Sequence, residues 1–333
     1  MTDKEKYLEF CKKTYIPVFS KPWWMDAICG ESNWDVWLYG MDDLQVCAAM
    51  PYYIEQRNEY LYITKAMLTQ VNGLFIDYPK EQKLVAKQVY EEKICNAAID
   101  FIESKQIDVY EQQYHHTFSN FLPFWWKGFT MIPRFTYIIE DTRDMQLVED
   151  QFSANCRKNM RKGYKNIDHI KTLTAEEFYA EHEKIYQRQG LQCPFPFELW
   201  QRLYSACREN SAGEIIAACD SNDHVLSLMF IVWDEKALYP LLGGAIPEYA
   251  NLQTYTALTH RSIEIASEKG LAYDFEGSVI KRINHAFREY GGTPKLYYRI
   301  RKVFSPEILH EETEKQISFL NSNLYKSSKT GGG

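Results

Sequence analysis

The pattern of apolar and polar positions predicts the same series of elements twice along the chain. The series is a hairpin of two strands, a third strand, a helix and a fourth strand. In the first half these elements are predicted at residues 34–39, 44–55, 59–64, 81–104 and 107–111, with a hairpin turn at 40–43. In the second half they are predicted at residues 214–219, 225–233, 238–244, 252–269 and 271–275, with Gly270 ending the helix. The repeated order indicates a duplicated unit.

Polar residues separate the two units. Residues 141–144 interrupt the apolar run at 135–139 and predict a linker. Further helices are predicted after it, at residues 148–165, 175–187 and 197–209. Hairpins combined with crossover helices favour an α+β fold, in which mixed sheets are flanked by helices, over a doubly wound parallel sheet.

The chain has 333 residues, which suits two domains of about 150 residues each. We therefore predict an N-terminal domain at residues 1–145 and a C-terminal domain at residues 146–320. The polar end of the chain, residues 321–333, is expected to be a disordered tail.

Composition and charge restrict the class of protein. The net charge of −7 argues against a protein that coats nucleic acid or an anionic membrane with its whole surface. The N-terminus is charged and leads into no apolar run, and no run approaches the roughly 18 apolar residues of a membrane span, so a cytoplasmic protein is expected. Aromatic residues make up 15% of the chain, enough to fill cores or to line a long groove.

Motifs for several common chemistries are absent from the sequence. The eight cysteines show no C-x-x-C spacing, so no metal site is expected. Phosphate-binding P-loop, dinucleotide-binding, serine-hydrolase and zinc-protease motifs are missing too. The pair His115 and His116 has no carboxylate at ligand spacing, and we assign it to the surface or the core.

A basic segment at the start of the second half is the first candidate binding feature. At helical spacing Arg157, Arg161 and Lys165 share one face, with Lys158 and Lys162 beside them. Like charges at this spacing repel, and the phosphates of a substrate would compensate them. The alternative is a solvated helix face that pairs with nearby acidic residues.

The end of the last predicted strand is the second candidate. It carries Asp274 and Glu276, followed by Gly277, and a carboxylate at a strand end suits a general base for an attacking amine. A glycine lets the backbone approach a ligand closely. The alternative is that the two carboxylates cap the next helix or pair with Lys281 and Arg282.

Several segments together resemble the GNAT proteins related to the Fem peptidoglycan-bridge aminoacyltransferases and to a related acetyltransferase domain family. In the second half they are the basic segment 157–165 and residues 274–278 (DFEGS), 287–292 (FREYGG) and 296–300 (LYYRI). In the first half they are residues 19–24 (FSKPWW), 68–70 (LTQ) with Gly73, and 122–129 (LPFWWKGF). The resemblance covers roughly residues 15–305, and it rests on the order and spacing of these segments.

The resemblance implies two tandem GNAT-like domains, the first degenerate and the second carrying the substrate channel. It implies a bacterial transferase that moves an acyl or aminoacyl group from acyl-CoA or aminoacyl-tRNA to an amine of a small molecule or a cell-wall muropeptide. No tightly bound cofactor is expected. GNAT enzymes hold the donor pyrophosphate in a glycine-rich turn before a helix, but residues 245–252 contain no glycine, so the donor stays open.

These considerations give the chain a set of candidate roles. Phosphate binding is assigned to Arg157, Lys158, Arg161 and Lys162, and base or substrate-orienting roles to Asp274 and Glu276. Stabilisation of transition-state charge is assigned to Lys295 and Arg299, and the channel lining to Tyr255 and Tyr298. The alternative function is a non-catalytic GNAT-fold module that binds a ligand or a partner. A third possibility is that the basic segment binds nucleic acid.

Overall fold

The computed structural model describes residues 1–40, 45–188 and 190–329. The helices are α1 (Asp3–Lys13), α2 (Pro22–Cys29), α3 (Leu84–Ser104), α4 (Leu122–Trp126), α5 (Met145–Asp150), α6 (Ala154–Tyr164), α7 (Ala175–Gln187), α8 (Phe197–Glu209), α9 (Thr254–Lys269), α10 (Lys281–Arg288) and α11 (Pro306–Lys329). The strands are β1 (Trp34–Gly40), β2 (Val46–Arg57), β3 (Tyr60–Thr64), β4 (Phe75–Ile76), β5 (Val109–Gln113), β6 (Thr130–Ile139), β7 (His169–Lys171), β8 (Gly213–Cys219), β9 (Val225–Trp233), β10 (Ala237–Ala245), β11 (Ala272–Asp274) and β12 (Thr293–Val303). Most of the predicted turn at 40–43, and the predicted start of a strand at residue 44, lie outside the described residues.

The duplicated unit is confirmed in the strand pairing. In the first half β1 pairs with β2 and β2 with β3 in antiparallel fashion, and β3 pairs with β5 in parallel across α3. In the second half β8, β9, β10 and β11 repeat these three pairings around α9. Gly270 ends α9 in the left-handed conformation, as its position predicts.

The two units exchange their last strands. β6 follows the first unit but pairs with β11 of the second, and β12 follows the second unit but pairs with β5 of the first. β6 and β12 also pair with each other in antiparallel fashion, which joins both units in one sheet. The order is β1-β2-β3-β5-β12-β6-β11-β10-β9-β8-β7, with β4 paired to β2 outside this path. The mixed sheet with flanking helices confirms the α+β prediction, while the limits of two sequential domains stay a prediction.

Two expectations about helices were wrong. The single helix predicted at 148–165 is divided into α5 and α6, because the Ser153 hydroxyl accepts a hydrogen bond from the backbone N–H of Cys156 at 3.0 Å and starts a new helix. The tail predicted to be disordered is helical up to Lys329, since α11 begins at Pro306 and no glycine or proline interrupts it. The helices predicted at 175–187 and 197–209 are confirmed as α7 and α8.

The second half of the sheet is covered on both faces. On one face α5, α6 and α9 pack in a core that includes Tyr273 and Phe275. On the other face α7 and α8 pack in a core with Tyr239. The N-terminal segment reaches this second face, where the Asp234 carboxylate accepts hydrogen bonds from the backbone N–H of Val18 at 3.0 Å and the Tyr239 hydroxyl at 3.1 Å. The Phe19 ring also packs against Tyr239 at 4.9 Å, so the N-terminal segment covers this face beside β10.

Candidate active site

Strand β11 directs Asp274 into the interior on the Tyr239 face of the sheet. Its neighbours Tyr273 and Phe275 belong to the core on the α9 face, and alternate side chains of a strand point to opposite faces. The Asp274 Oδ1 atom accepts hydrogen bonds from the Thr136 hydroxyl and from the backbone N–H of Glu276, the latter at 2.8 Å. Burial outweighs these hydrogen bonds and raises the pKa of Asp274 to about 6.

Glu276 is held beside Asp274 by an unusual backbone turn. Its φ angle is 58° and that of Gly277 is 71°, so two successive residues adopt the left-handed conformation. A Cβ atom on Gly277 would collide with the carbonyl oxygen of Phe135 on β6, which explains the glycine. A glutamate in this conformation carries a conformational cost, and such residues cluster at functional sites.

The surroundings of Glu276 disfavour its charged form. Burial and the neighbouring Asp274 raise its pKa to about 8, although Lys65 and Gln70 act in the opposite direction. The Glu276 Oε1 atom is shielded from solvent and has no hydrogen-bond partner among the described residues. Near neutral pH the carboxyl can therefore exchange a proton with a bound group, as a general base requires.

Both carboxyl groups line a narrow cavity of about 30 Å³. This is room for about two water molecules at roughly 10–15 Å³ each. The second half of the chain lines it with Tyr239, Asp274, Glu276 and Tyr297. The first half contributes Phe19, Gln70, Val71, Gln113, His115, His116 and Thr136. The cavity is thus composite, whereas the sequence places the substrate channel on the second half.

His115 is a site residue that the sequence reasoning missed. It lines the cavity, and burial lowers its pKa to about 3, so the imidazole is neutral at physiological pH. The duplication contains the signal that could have found it. His115 lies two residues after the end of β5, as Glu276 lies two residues after the end of β11.

Strand β12 places the other predicted residues on two different faces. Tyr297 lines the cavity, while the Tyr298 ring packs against Phe121 at 4.8 Å in the first-half core. The assignment of the channel lining to Tyr298 therefore has to be corrected to Tyr297, because alternate residues of a strand point to opposite faces. Arg299 lies on the Tyr297 face and forms an ion pair with Glu111 at 3.2 Å.

Lys295 and Tyr255 lie at the edges of the site. Lys295 is directly opposite Thr136 in the β12–β6 pair, and its ammonium binds Glu140 at 2.5 Å. Burial and the charge of Glu276 raise the pKa of the Tyr255 hydroxyl to about 12, which places this first-turn residue of α9 near Glu276. Neither residue lines the cavity itself.

Comparison with known proteins identifies the part of the chain that holds the two carboxylates. Residues 153–279 match the family model described as an acetyltransferase (GNAT) domain. This segment is similar to GNAT acetyltransferase domains. The match includes Asp274 and Glu276 and ends at the turn that carries them. No curated protein matches the sequence.

Solved structures show that nearly the whole chain shares its fold with known proteins. The crystal structure of FemX has 12% identity and a TM-score of 0.68, over 93% of this chain and 98% of that one. L-PGS from Bacillus licheniformis has 12% identity and a TM-score of 0.52, over 92% of both chains. A tandem GNAT protein from the clavulanic acid biosynthesis pathway has 7% identity and a TM-score of 0.51, over 91% of this chain and 95% of that one. The chain therefore has the tandem GNAT fold.

The basic helix of the matched segment, α6, does not face the carboxylates. Helix α6 packs on the face of the sheet opposite to Asp274, so its cations approach the site from the other side of the sheet, and their role in phosphate binding stays a prediction. The Arg157 guanidinium donates hydrogen bonds to the carbonyls of Phe152 and Glu149 near the end of α5. Lys158 and Arg161 are exposed.

The end of α6 lies instead beside the start of α9. The Lys162 ammonium donates a hydrogen bond to the Asn251 carbonyl at 2.7 Å, and Gly163 touches the Gln253 backbone so closely that a Cβ atom would collide with it. Where a GNAT enzyme has a glycine-rich turn, this chain has a short 3-10 helix, Pro247–Leu252, and Gln253 in the left-handed conformation. The N-terminus of α9, which carries partial positive charge, therefore lies close to the Lys162 ammonium.

One group of possible metal ligands lies far along the sheet, at its β7 edge. Ligand atoms of His169, Cys219 and Asp223 lie within 4.8 Å of one another. The Asp223 carboxylate is already bound by the Lys171 ammonium at 2.6 Å. Within the described part of the chain, no helix is long and apolar enough to cross a membrane.

Proposed function

We propose that the protein is an N-acyltransferase or aminoacyltransferase that moves an acyl or aminoacyl group from an activated donor to an amine. The observation that carries the proposal is the carboxyl pair of Asp274 and Glu276 at the end of β11, inside the segment that matches the GNAT acetyltransferase domain. An amine at neutral pH is an ammonium ion, and it must lose a proton before or during its attack. A carboxyl group with a pKa raised to about 8 is suited to that step.

The proposed reaction forms a bond between the acceptor nitrogen and the donor carbonyl carbon. The carbonyl bond to the donor sulfur or oxygen breaks, and the leaving group departs as a thiol or a hydroxyl. The ammonium ion releases one proton to solvent to become the attacking amine, and Glu276 takes the second proton from the nitrogen during the attack and passes it to the leaving group. Cations on β12, Lys295 and Arg299, stabilise the negative charge that develops on the carbonyl oxygen.

The proposed donor is an acyl-CoA or an aminoacyl-tRNA, both of which carry phosphates. Lys162 offers charge beside the N-terminus of α9, where backbone N–H groups and the helix dipole favour an anion. Arg161 and Lys158 are exposed on the same helix and add to this charge. Arg157 contributes less in this proposal because its guanidinium already binds backbone carbonyls. The proposed acceptor is the amine of a small molecule or a muropeptide.

The test is product formation with matched donors and acceptors. The purified protein is incubated with acetyl-CoA or a mixture of aminoacyl-tRNAs and with a panel of amines that includes a UDP-linked muropeptide. Mass spectrometry then measures the acylated amine. We expect an adduct with one donor class, lost in the Glu276→Gln variant. The absence of any covalent product from every pair would contradict the proposal.

The small size of the cavity favours a second candidate function, a GNAT-fold module that binds a ligand or partner without catalysis. A cavity of about 30 Å³ does not admit an acyl group unless the site opens. The same incubations distinguish the two functions. Saturable binding of a donor or an acceptor without product, unchanged by Glu276→Gln, would favour the module.

A further inference from the structure

Two partly buried cations near the cavity have no partner among the residues that the structure describes. Lys65 lies just after β3, and Arg134 lies on β6. Among the described residues, no carboxylate lies within ion-pair distance of either side chain, and no hydrogen bond joins them to another group. Most charged side chains with so little solvent contact are paired, because burial of an unpaired charge is costly.

Strand register and charge interactions place the two cations next to residues that line the cavity, at what we call its mouth. Arg134 is directly opposite Tyr297 in the antiparallel β6–β12 pair, so the two side chains share one face of the sheet. Arg299 follows two residues later on that face, and Gln113 of the cavity lining is directly opposite Arg299 on β5. Lys65 lies close enough to Glu276 for their charges to interact.

Nearby carboxylates do not neutralise this patch. Glu111 is shared by Arg299 at 3.2 Å and Arg301 at 3.0 Å. The Glu276 carboxyl keeps its proton near neutral pH and contributes little negative charge there. Asp274, with a pKa of about 6, is ionised, but its Oδ1 atom already accepts hydrogen bonds from Thr136 and from the backbone of Glu276. Lys65, Arg134, Arg299 and Arg301 therefore outnumber the charged carboxylates Glu111 and Asp274. The mouth of the cavity is therefore positive in a chain whose net charge is −7.

We propose that Lys65 and Arg134 bind an anionic group, a carboxylate or a phosphate, on the acceptor molecule whose amine reaches Glu276. The inference rests on the proposed transferase function and names its acceptor class: an amine that also carries an acidic group. A guanidinium and an ammonium on one side of such a group supply charge-assisted hydrogen bonds, and Arg134 can bind it in bidentate fashion. Neutral amines lack this anchor and bind weakly.

Anion binding can be measured without catalysis. Inorganic phosphate and acetate are titrated into the protein by calorimetry at constant ionic strength, with the wild type and the Lys65→Met/Arg134→Met double variant. We expect the variant to bind the preferred anion at least about tenfold more weakly. The control is Lys184→Met/Arg143→Met, which removes two exposed cations of the same kinds that pair only with Glu181 and Asp141.

The variants are expected to remain folded. Burial lowers the pKa of Lys65, so the folded protein already disfavours its charge, and methionine relieves that cost. Thermal unfolding checks this expectation. Equal anion affinity in the wild type and the double variant would overturn the inference, as would the absence of anion binding in the wild type. If Arg161→Glu lost anion binding while the double variant kept it, the anion site would lie at α6 and the inference would be overturned.

The acceptor arm compares amines that differ in one acidic group. Glucosamine 6-phosphate is paired with glucosamine, and lysine with cadaverine, so that the arms distinguish a phosphate from a carboxylate. Arg134→Met should raise KM for the acidic member of one pair at least about tenfold, leave its kcat nearly unchanged and spare the neutral member. Arg134→Lys should restore part of the loss. Equal changes in KM for the acidic and the neutral member of a pair would overturn the inference. The absence of all transfer would contradict the proposed function, and the anion titration would then decide the inference.

Discussion

Replacing Glu276 by glutamine should stabilise the protein at high pH and destabilise it slightly at low pH. The pKa of Glu276 is raised from an ordinary 4.5 to about 8 in the folded protein. Below pH 4.5 the folded and unfolded states both carry the proton, so the group does not affect stability. As the pH rises from 4.5 to 8, the unfolded state releases the proton first, and the wild type loses stability.

The size of this loss follows from the displacement of the pKa. One pKa unit corresponds to about 1.4 kcal/mol, so above pH 8 the ionised Glu276 lowers the free energy of unfolding by up to about 5 kcal/mol. Glutamine carries no charge at any pH, but its buried amide lacks partners and costs roughly 1–2 kcal/mol. We therefore expect Glu276→Gln to gain about 3–4 kcal/mol at pH 9 and to lose roughly 1–2 kcal/mol at pH 4.

Urea unfolding followed by circular dichroism at pH 4, 7 and 9 measures both values. Glu92→Gln is the matched control, since Glu92 is exposed on α3 and its replacement should change stability by less than about 0.5 kcal/mol at each pH. An effect of Glu276→Gln that is the same at pH 4 and pH 9 would refute the reasoning, because it would mean that the carboxyl titrates alike in the folded and unfolded states.

Three further predictions concern the neighbourhood of the carboxylates and the donor site. Asp274→Asn removes a charge that helps to raise the pKa of Glu276. The pH at which the transfer rate rises should therefore move below 8. An unchanged pH–rate profile would contradict the influence of Asp274 on the pKa of Glu276. Gly277→Ala should destabilise the protein by about 3 kcal/mol or more, because the new Cβ atom collides with β6. The control is Gly128→Ala, since Gly128 also has a positive φ angle but has open space around its Cβ position, and it should cost only about 1–2 kcal/mol. Thermal unfolding measures both changes. Arg161→Glu should raise KM for the donor at least about tenfold, because it reverses a charge of the proposed phosphate site. The melting temperature should not change, because the Arg161 side chain is exposed. Unchanged kinetics would contradict the proposed phosphate site.

Elements with strong local patterns could be predicted from the sequence. The helices at 175–187 and 197–209 and the strand at 225–233 have the predicted limits, because periodicity, turns and caps are properties of neighbouring residues. The duplication was also visible, since the same local series recurs. The break at Ser153 was missed because apolar periodicity continues across a cap.

The composite site could not be predicted in the same way. It depends on the exchange of β6 and β12, which pairs residues more than 150 positions apart, such as Arg134 with Tyr297. Sequence periodicity does not specify which strands pair. Without the register of β12, it is not possible to tell whether Tyr297 or Tyr298 faces the cavity. Lys65 has no neighbouring motif, and its significance appears only when Glu276 lies beside it.

The central claim is that Glu276 accepts the proton of the attacking amine in a GNAT-type transfer reaction. The most direct test is the pH dependence of kcat/KM for acylation of a weakly basic amine, whose own pKa lies well below that of Glu276, in the wild type and in Glu276→Gln. For the wild type, the account predicts a rate that rises with pH up to a pKa near 8 and then levels off. In the variant this rise should disappear, with a rate at least about a hundredfold lower at pH 8. Equal rates and identical pH profiles for the two proteins would contradict the claim.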